Sequence, residues 1–250
     1  MAFDFLFTGE ELPISGGHVD NLPGVPLRWK PGKAERMKTL IVKIEQGHVP
    51  DDVLKAIAAV LLKDGVMAYP TETFYGLGAV CFSGKAVRRV YRLKARDVRK
   101  PLSLIVSGLD MLETLAIGPP PVFHRLAGEF WPGPLTLVLK ASPSFPARQA
   151  GPGHTIGVRI PSIPWLRRLV GEVGLPITAT SANISGEGGI SDPAEILRTF
   201  NDKVDVIVDG GTTPGGRAST IVDITGPEPR ILREGAIPAG KLKPYLSAML

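Results

Sequence analysis

With one cysteine in 250 residues, the chain can form no internal disulfide and no cysteine-rich zinc site. Cys81 lies in the apolar run Ala79-Val80-Cys81-Phe82, the setting of a small buried hydrophobe rather than of a reactive thiol. Histidine is almost as scarce: His18, His48, His124 and His154 are scattered without metal-ligand spacing, so no metal site is expected. Aromatics make up 6% of the chain and are not interleaved with basic residues, which argues against a base-stacking nucleic-acid module. No apolar run approaches the ~20 residues that span a bilayer. The opening MAFDFLFTGEELP carries acids and lacks a basic n-region, so a cytoplasmic protein without a signal peptide is expected. Phosphate-binding loops are missing too. GAVCFSGKA has the wrong spacing for a Walker loop, GLGAVC lacks the third glycine of a dinucleotide fingerprint, and no G-x-S-x-G elbow occurs.

What remains is the composition of a soluble globular protein. Hydrophobic residues make up 44% and charged residues 21%, with 29 Gly and 24 Pro to supply many turns. A formal charge of +5 suits a protein that handles phosphates or an RNA. Residues 1–36 are rich in Gly and Pro and hold no steady period, which predicts an irregular N-terminal extension before a domain over 37–250. From Thr39 onward, strand-like runs (TLIVKI, VMAYP, PLSLIV, LPITAT, VDVIVDG, STIVDIT) alternate with helical ones (DDVLKAIAAVLLKDG, GKAVRRVYRLK, IPWLRRLVGEV, DPAEILRTF). The adjacent runs PLTLVLK and TIGVRIP suggest an antiparallel pair, hence a mixed sheet.

Several constellations could carry chemistry. PTETFYGLG, Pro70 to Gly78, ends a buried-looking strand in hydroxyls and glycines, either an ordinary turn or the mouth of a site. Lys94 and Arg96 stand two apart at a helix end. Pro101 disfavours helix before it, and an extended exit would point both side chains one way. The bland alternative is a solvated basic helix end. Ser181 and Asn183 share that spacing in TATSANISG, where small residues allow backbone N–H groups close to a ligand, unless this is simply an Asx-turn loop. Arg159 interrupts the apolar strand GVRIP and needs a partner, which could be a ligand carboxylate or an internal Asp or Glu.

Taken together, YPTETFYGLG, LKAR, KPL, FWPGPLTLVL, GVRIP, TSANISG, STIVDIT and ILREGAI resemble, in order, the YrdC-type threonylcarbamoyl-adenylate synthases over about residues 38–240. The resemblance implies a single α/β domain whose twisted mixed sheet and flanking helices surround a large, concave, basic cavity. It implies an enzyme that joins L-threonine, bicarbonate and ATP into threonylcarbamoyl-adenylate and releases pyrophosphate, for modification of tRNA. Mg2+ would accompany the nucleotide, no organic cofactor is implied, and a threonylcarbamoyl-transfer complex or tRNA is the implied partner. Carried over by position, Thr73, Arg159, Ala179 and Ser219 would hold threonine. Lys94, Arg96, Lys100, Thr155, Ser181, Asn183 and Arg233 would surround the nucleotide, with Lys94, Arg96, Ser181 and Asn183 as the catalytic set. The glycines of PTETFYGLG would let the chain turn away from the pocket.

The chain departs from the family pattern in one place. Many members read K-x-R-P-x-x-N-P-L followed by a histidine that contacts threonine; here Asp97 replaces the proline, Lys100 the asparagine and Ile105 the histidine. Two alternatives therefore stand beside the synthase: a same-fold enzyme with another carbamoyl substrate, and a non-catalytic RNA-binding module.

Overall fold

The structure, a computed structural model, describes residues 38–44 and 47–246. The expected extension over residues 1–36 lies outside these residues. Among these described residues ten strands form one open sheet. In chain order they are β1 (Leu40–Lys43), β2 (Met67–Tyr69), β3 (Gly76–Gly78), β4 (Ser103–Ile105), β5 (Leu135–Lys140), β6 (Thr155–Arg159), β7 (Ile177–Ser181), β8 (Val206–Asp209), β9 (Thr220–Asp223) and β10 (Arg230–Arg233). Their spatial order is β1-β8-β2-β3-β7-β4-β6-β5-β9-β10. Parallel pairs (β1 with β8, β5 with β9) mix with antiparallel ones (β2 with β3, β5 with β6), so the expected mixed sheet is present.

Among the described residues seven helices flank the sheet: α1 (Asp51–Leu62), α2 (Gly84–Leu93), α3 (Leu109–Glu113), α4 (Pro121–Phe130), α5 (Pro164–Val173), α6 (Pro193–Phe200) and α7 (Ala239–Leu246). Their ends follow local chemistry. Ser83 caps α2 by accepting from the Ala86 N–H, Asp192 caps α6 by accepting from Ala194, and Pro opens α4, α5 and α6. Helices α1 and α5 pack with β1, β2 and β8 in one core cluster around Ile57, Leu61, Trp165 and Leu169. Helices α2 and α6 cover Ala68, Leu77 and Ile207 in a second cluster. A third joins β5, β6 and β9 to α3, α4 and α7. Among the described residues no helix is long and apolar enough to cross a membrane.

The strand β3 was not anticipated, and it corrects the reading of the glycines. Gly76 and Gly78 do not turn the chain away; they form a strand antiparallel to β2, opposite Tyr69 and Met67. A Cβ on Gly76 would lie 2.9 Å from the Tyr69 ring, and one on Gly78 would lie 2.8 Å from that ring and 2.7 Å from Ile177. The glycines make room for a fully buried tyrosine. The turn itself is made upstream, where the Thr71 hydroxyl donates to the Phe74 carbonyl at 2.6 Å and accepts from the Thr73 N–H at 3.1 Å.

Candidate active site

The central strands β3, β7 and β4 run side by side, and their ends open on a cavity of about 180 Å³. Its walls come from distant parts of the chain: Thr71 and Thr73 after β2, Arg96 after α2, Ser103 on β4, Arg159 on β6, Ala179 and Ser181 on β7, Ser219 before β9, and Arg233 on β10. Register brings these together. Ala179 pairs with Ser103, Ser181 with Gly76, and Ile105 with Arg159. A bulge at Leu232 sets Arg233 opposite Ile221, another residue of the wall.

Three guanidinium groups dominate the wall. Arg96 is held by its own loop, donating from Nε to the Lys100 carbonyl at 3.1 Å and from Nη2 to the Pro101 carbonyl at 3.0 Å. Arg233 donates from Nη2 to the Ser219 carbonyl at 2.7 Å and to its hydroxyl at 3.2 Å. The Ser219 hydroxyl also lies 3.0 Å from that of Thr136. Partial desolvation, then the charges of Arg159 and Arg96, lower the Arg233 pKa, a sign that like charges converge here. Arg159 is 6% exposed and donates from Nη1 to Oε1 of Glu72 at 2.8 Å. The internal partner left open by the sequence is therefore Glu72.

Lys94 and Asn183 stand apart from the wall residues. The chain does not leave α2 in the extended form expected: Lys94 keeps helical torsions and Ala95 takes φ 47°, a left-handed conformation uncommon outside glycine. The two side chains diverge as a result. Arg96 reaches the cavity, whereas Lys94, 2% exposed, turns inward to the end of β7. Its ammonium donates to the Ser181 carbonyl at 2.5 Å, the Asn183 carbonyl at 2.9 Å and Asn183 Oδ1 at 2.7 Å. Asn183 Oδ1 also accepts from the Ser181 hydroxyl at 2.5 Å, and its Nδ2 donates to the Glu187 carbonyl at 2.6 Å. Burial, and next the charge of Arg96, bring the Lys94 pKa down to about 8, against the pull of three acceptor oxygens that favour the ammonium.

Two further sequence candidates lie elsewhere. Lys100 is exposed, and it is its carbonyl, accepting from Arg96 and from the Tyr91 hydroxyl at 3.0 Å, that serves the site. Thr155, the first residue of β6, donates its hydroxyl to the Pro152 carbonyl at 3.0 Å and is not part of the wall. Conversely, Glu72, Thr71, Ser103 and Thr136 were not singled out in the sequence. Only Glu72 carried a usable signal, an acid flanked by threonines directly after a buried strand. Among the described residues no cluster of three or more His, Cys, Asp or Glu is arranged to hold a metal ion.

The model of the Sua5_yciO_yrdC family, described as telomere recombination, matches residues 59–235. The chain belongs to this family. It is 38% identical over 188 residues to the threonylcarbamoyl-AMP synthase of Pyrococcus abyssi, a match covering 75% of this chain and 55% of that protein. It is 35% identical over 208 residues to the putative threonylcarbamoyl-AMP synthase of Methanocaldococcus jannaschii, covering 82% of this chain and 98% of that one. The crystal structure of P. abyssi Sua5 complexed with L-threonine superposes with a TM-score of 0.78 at 34% identity, over 83% of this chain and 61% of that one. The chain thus spans about half the length of the P. abyssi relative.

Proposed function

We propose that residues 37–250 form a catalytic domain that makes L-threonylcarbamoyladenylate from L-threonine, bicarbonate and ATP, in the cytoplasm, for threonylcarbamoyladenosine modification of tRNA. The observation that carries this reading is the convergence of Arg96, Arg159 and Arg233 with the hydroxyls of Thr73, Ser181 and Ser219 on one cavity. That set suits two anionic groups, a carboxylate and a triphosphate, held side by side. Relatives named as threonylcarbamoyl-AMP synthases support it.

The chemistry needs placement more than a nucleophile. Threonine's neutral amine attacks CO2 and loses a proton, or attacks bicarbonate with loss of water, to give a carbamate. A carbamate oxygen then attacks the α-phosphate of ATP, and pyrophosphate leaves with the electrons of the broken P–O bond. Holding the reactants together can supply roughly 7–11 kcal/mol in well-oriented cases. Arg159, with Thr73, Ser219 and the Ala179 main chain, takes the threonine. Arg96 and Arg233, with the Ser181 hydroxyl, take the phosphates and balance the charge that grows on pyrophosphate. Lys94 acts one step back: with its three donors engaged by Ser181 and Asn183, it holds the Ser181 hydroxyl in place. Mg2+ enters as part of the nucleotide substrate. A threonylcarbamoyl-transfer complex consumes the product.

A second reading, a same-fold enzyme with another carbamoyl substrate, is favoured by Ile105. It stands at the position of the family's threonine-contacting histidine and packs in the core with 0% exposure. Incubation with ATP, bicarbonate and labelled threonine separates the readings. Threonine-dependent pyrophosphate release with a labelled adenylate supports the first, and release independent of threonine supports the second. No turnover, together with salt-sensitive tRNA binding, returns the protein to an RNA-binding module.

A further inference from the structure

Of the three guanidinium groups around the cavity, one is paired with a carboxylate. Arg159 meets Glu72 at 2.8 Å, whereas Arg96 and Arg233 donate to neutral oxygens of Lys100, Pro101 and Ser219. The Arg159 guanidinium is therefore charge-compensated, and those of Arg96 and Arg233 are not. The Arg159–Glu72 pair is well buried, the side chains being 8% exposed for Arg159 and 15% for Glu72. In such surroundings charges act strongly on an arriving ligand.

The pairing is also incomplete. Arg159 uses Nη1 alone, and no other hydrogen bond of its side chain is formed among the described residues. The second oxygen of Glu72, Oε2, is buried without a hydrogen-bond partner. A buried oxygen of this kind is unfavourable unless a positive group comes near. Thr71 and Thr73, on either side of Glu72 in the chain, line the cavity, as does Arg159.

We infer that Glu72 is a specificity-determining residue: its pairing with Arg159 makes the Arg159 site take up a zwitterionic α-amino acid and turn away a plain anion. The inference rests on the function proposed above and extends it. A carboxylate bound to Arg159 is repelled by Glu72 unless the same ligand carries an ammonium group to offset it. Arg96 and Arg233 carry no paired carboxylate, so a polyphosphate is drawn to them in preference to Arg159.

The test compares L-threonine with its 2-hydroxy analogue, 2,3-dihydroxybutanoate of matching stereochemistry, by calorimetry on the full chain. Wild type is expected to prefer threonine by at least about ten-fold. Glu72→Gln, nearly isosteric and uncharged, is expected to bring the two ligands within about two-fold, partly by binding the analogue more tightly than wild type does. A residue that merely supported the fold would weaken both ligands alike and leave their ratio unchanged. Threonine binding with an unchanged ratio in the variant overturns this inference alone. If wild type does not bind threonine, the functional reading falls with it. Should the variant fail to fold, the wild-type ratio decides, and a value near one overturns the inference.

Discussion

The ammonium of Lys94 donates to Oδ1 of Asn183 at 2.7 Å, and that same oxygen accepts from the hydroxyl of Ser181 at 2.5 Å. A residue at the end of α2 thereby sets the orientation of a hydroxyl 87 positions further along the chain, on the rim of the cavity. The lysine reaches the chemistry through Asn183.

Replacing Lys94 by Met keeps most of the buried stem but removes the ammonium's three hydrogen bonds; the Ser181 carbonyl keeps the Asn183 N–H and Asn183 Oδ1 keeps the Ser181 hydroxyl, while the Asn183 carbonyl loses its donor. The expected loss of stability is about 2–3 kcal/mol, read from denaturant midpoints. Turnover falls further than stability explains, because Ser181 loses its alignment. Folded variant with wild-type pyrophosphate release would count against the positioning role.

The lowered Lys94 pKa predicts a falling limb of activity above pH about 8. A neutral amine has two N–H donors, so one of the three acceptors is released and the 181–183 segment loosens. Unfolding is not the cause. Between pH about 8 and the ordinary lysine value the unfolded chain holds the extra proton, so this group makes stability rise with pH over that window. Parallel pH profiles of turnover and of chemical denaturation check both signs.

Arg96→Ala and Arg233→Ala remove a half-buried and an exposed cation whose hydrogen-bond partners are main-chain carbonyls and a hydroxyl, so the fold is expected to tolerate both. Each is expected to weaken binding of a non-hydrolysable ATP analogue by at least roughly ten-fold, about 1.4 kcal/mol, with a shallower salt dependence than wild type. Calorimetry at two salt concentrations reads both effects.

Gly78→Ala places a methyl group 2.7 Å from Ile177, 2.8 Å from the Tyr69 ring and 2.9 Å from the Thr178 carbonyl. Neither the ring nor the main chain can retreat far inside a closed core. A loss of about 1–3 kcal/mol is expected in thermal or denaturant melts. A neutral substitution would mean that β2 and β3 are less tightly joined than their register indicates.

Periodicity and turn chemistry were enough to read most elements, because the strand and helix runs carry their own alternation and caps. The runs at 51–62, 84–93, 164–173 and 193–200 are helices bounded by the residues that announce them. The pairing of PLTLVLK with TIGVRIP was legible for the same local reason. Strand β3 was not, since Gly-Leu-Gly has no strand propensity and is extended because it lies between β2 and β7 against the ring of Tyr69.

The family motifs named in advance seven of the residues of the cavity wall: Thr73, Arg96, Arg159, Ala179, Ser181, Ser219 and Arg233. Which way each side chain faces was another matter. Two cations two positions apart read alike in a string, yet a left-handed Ala95 sends Arg96 to the cavity and Lys94 into the interior. Glu72 and Arg159 are 87 positions apart, and no local rule links them. Hydrophobic alternation and capping are encoded over a few neighbours and can be read from order alone. Charge pairing across a cavity depends on distances that exist once β6 and the turn after β2 are folded against each other.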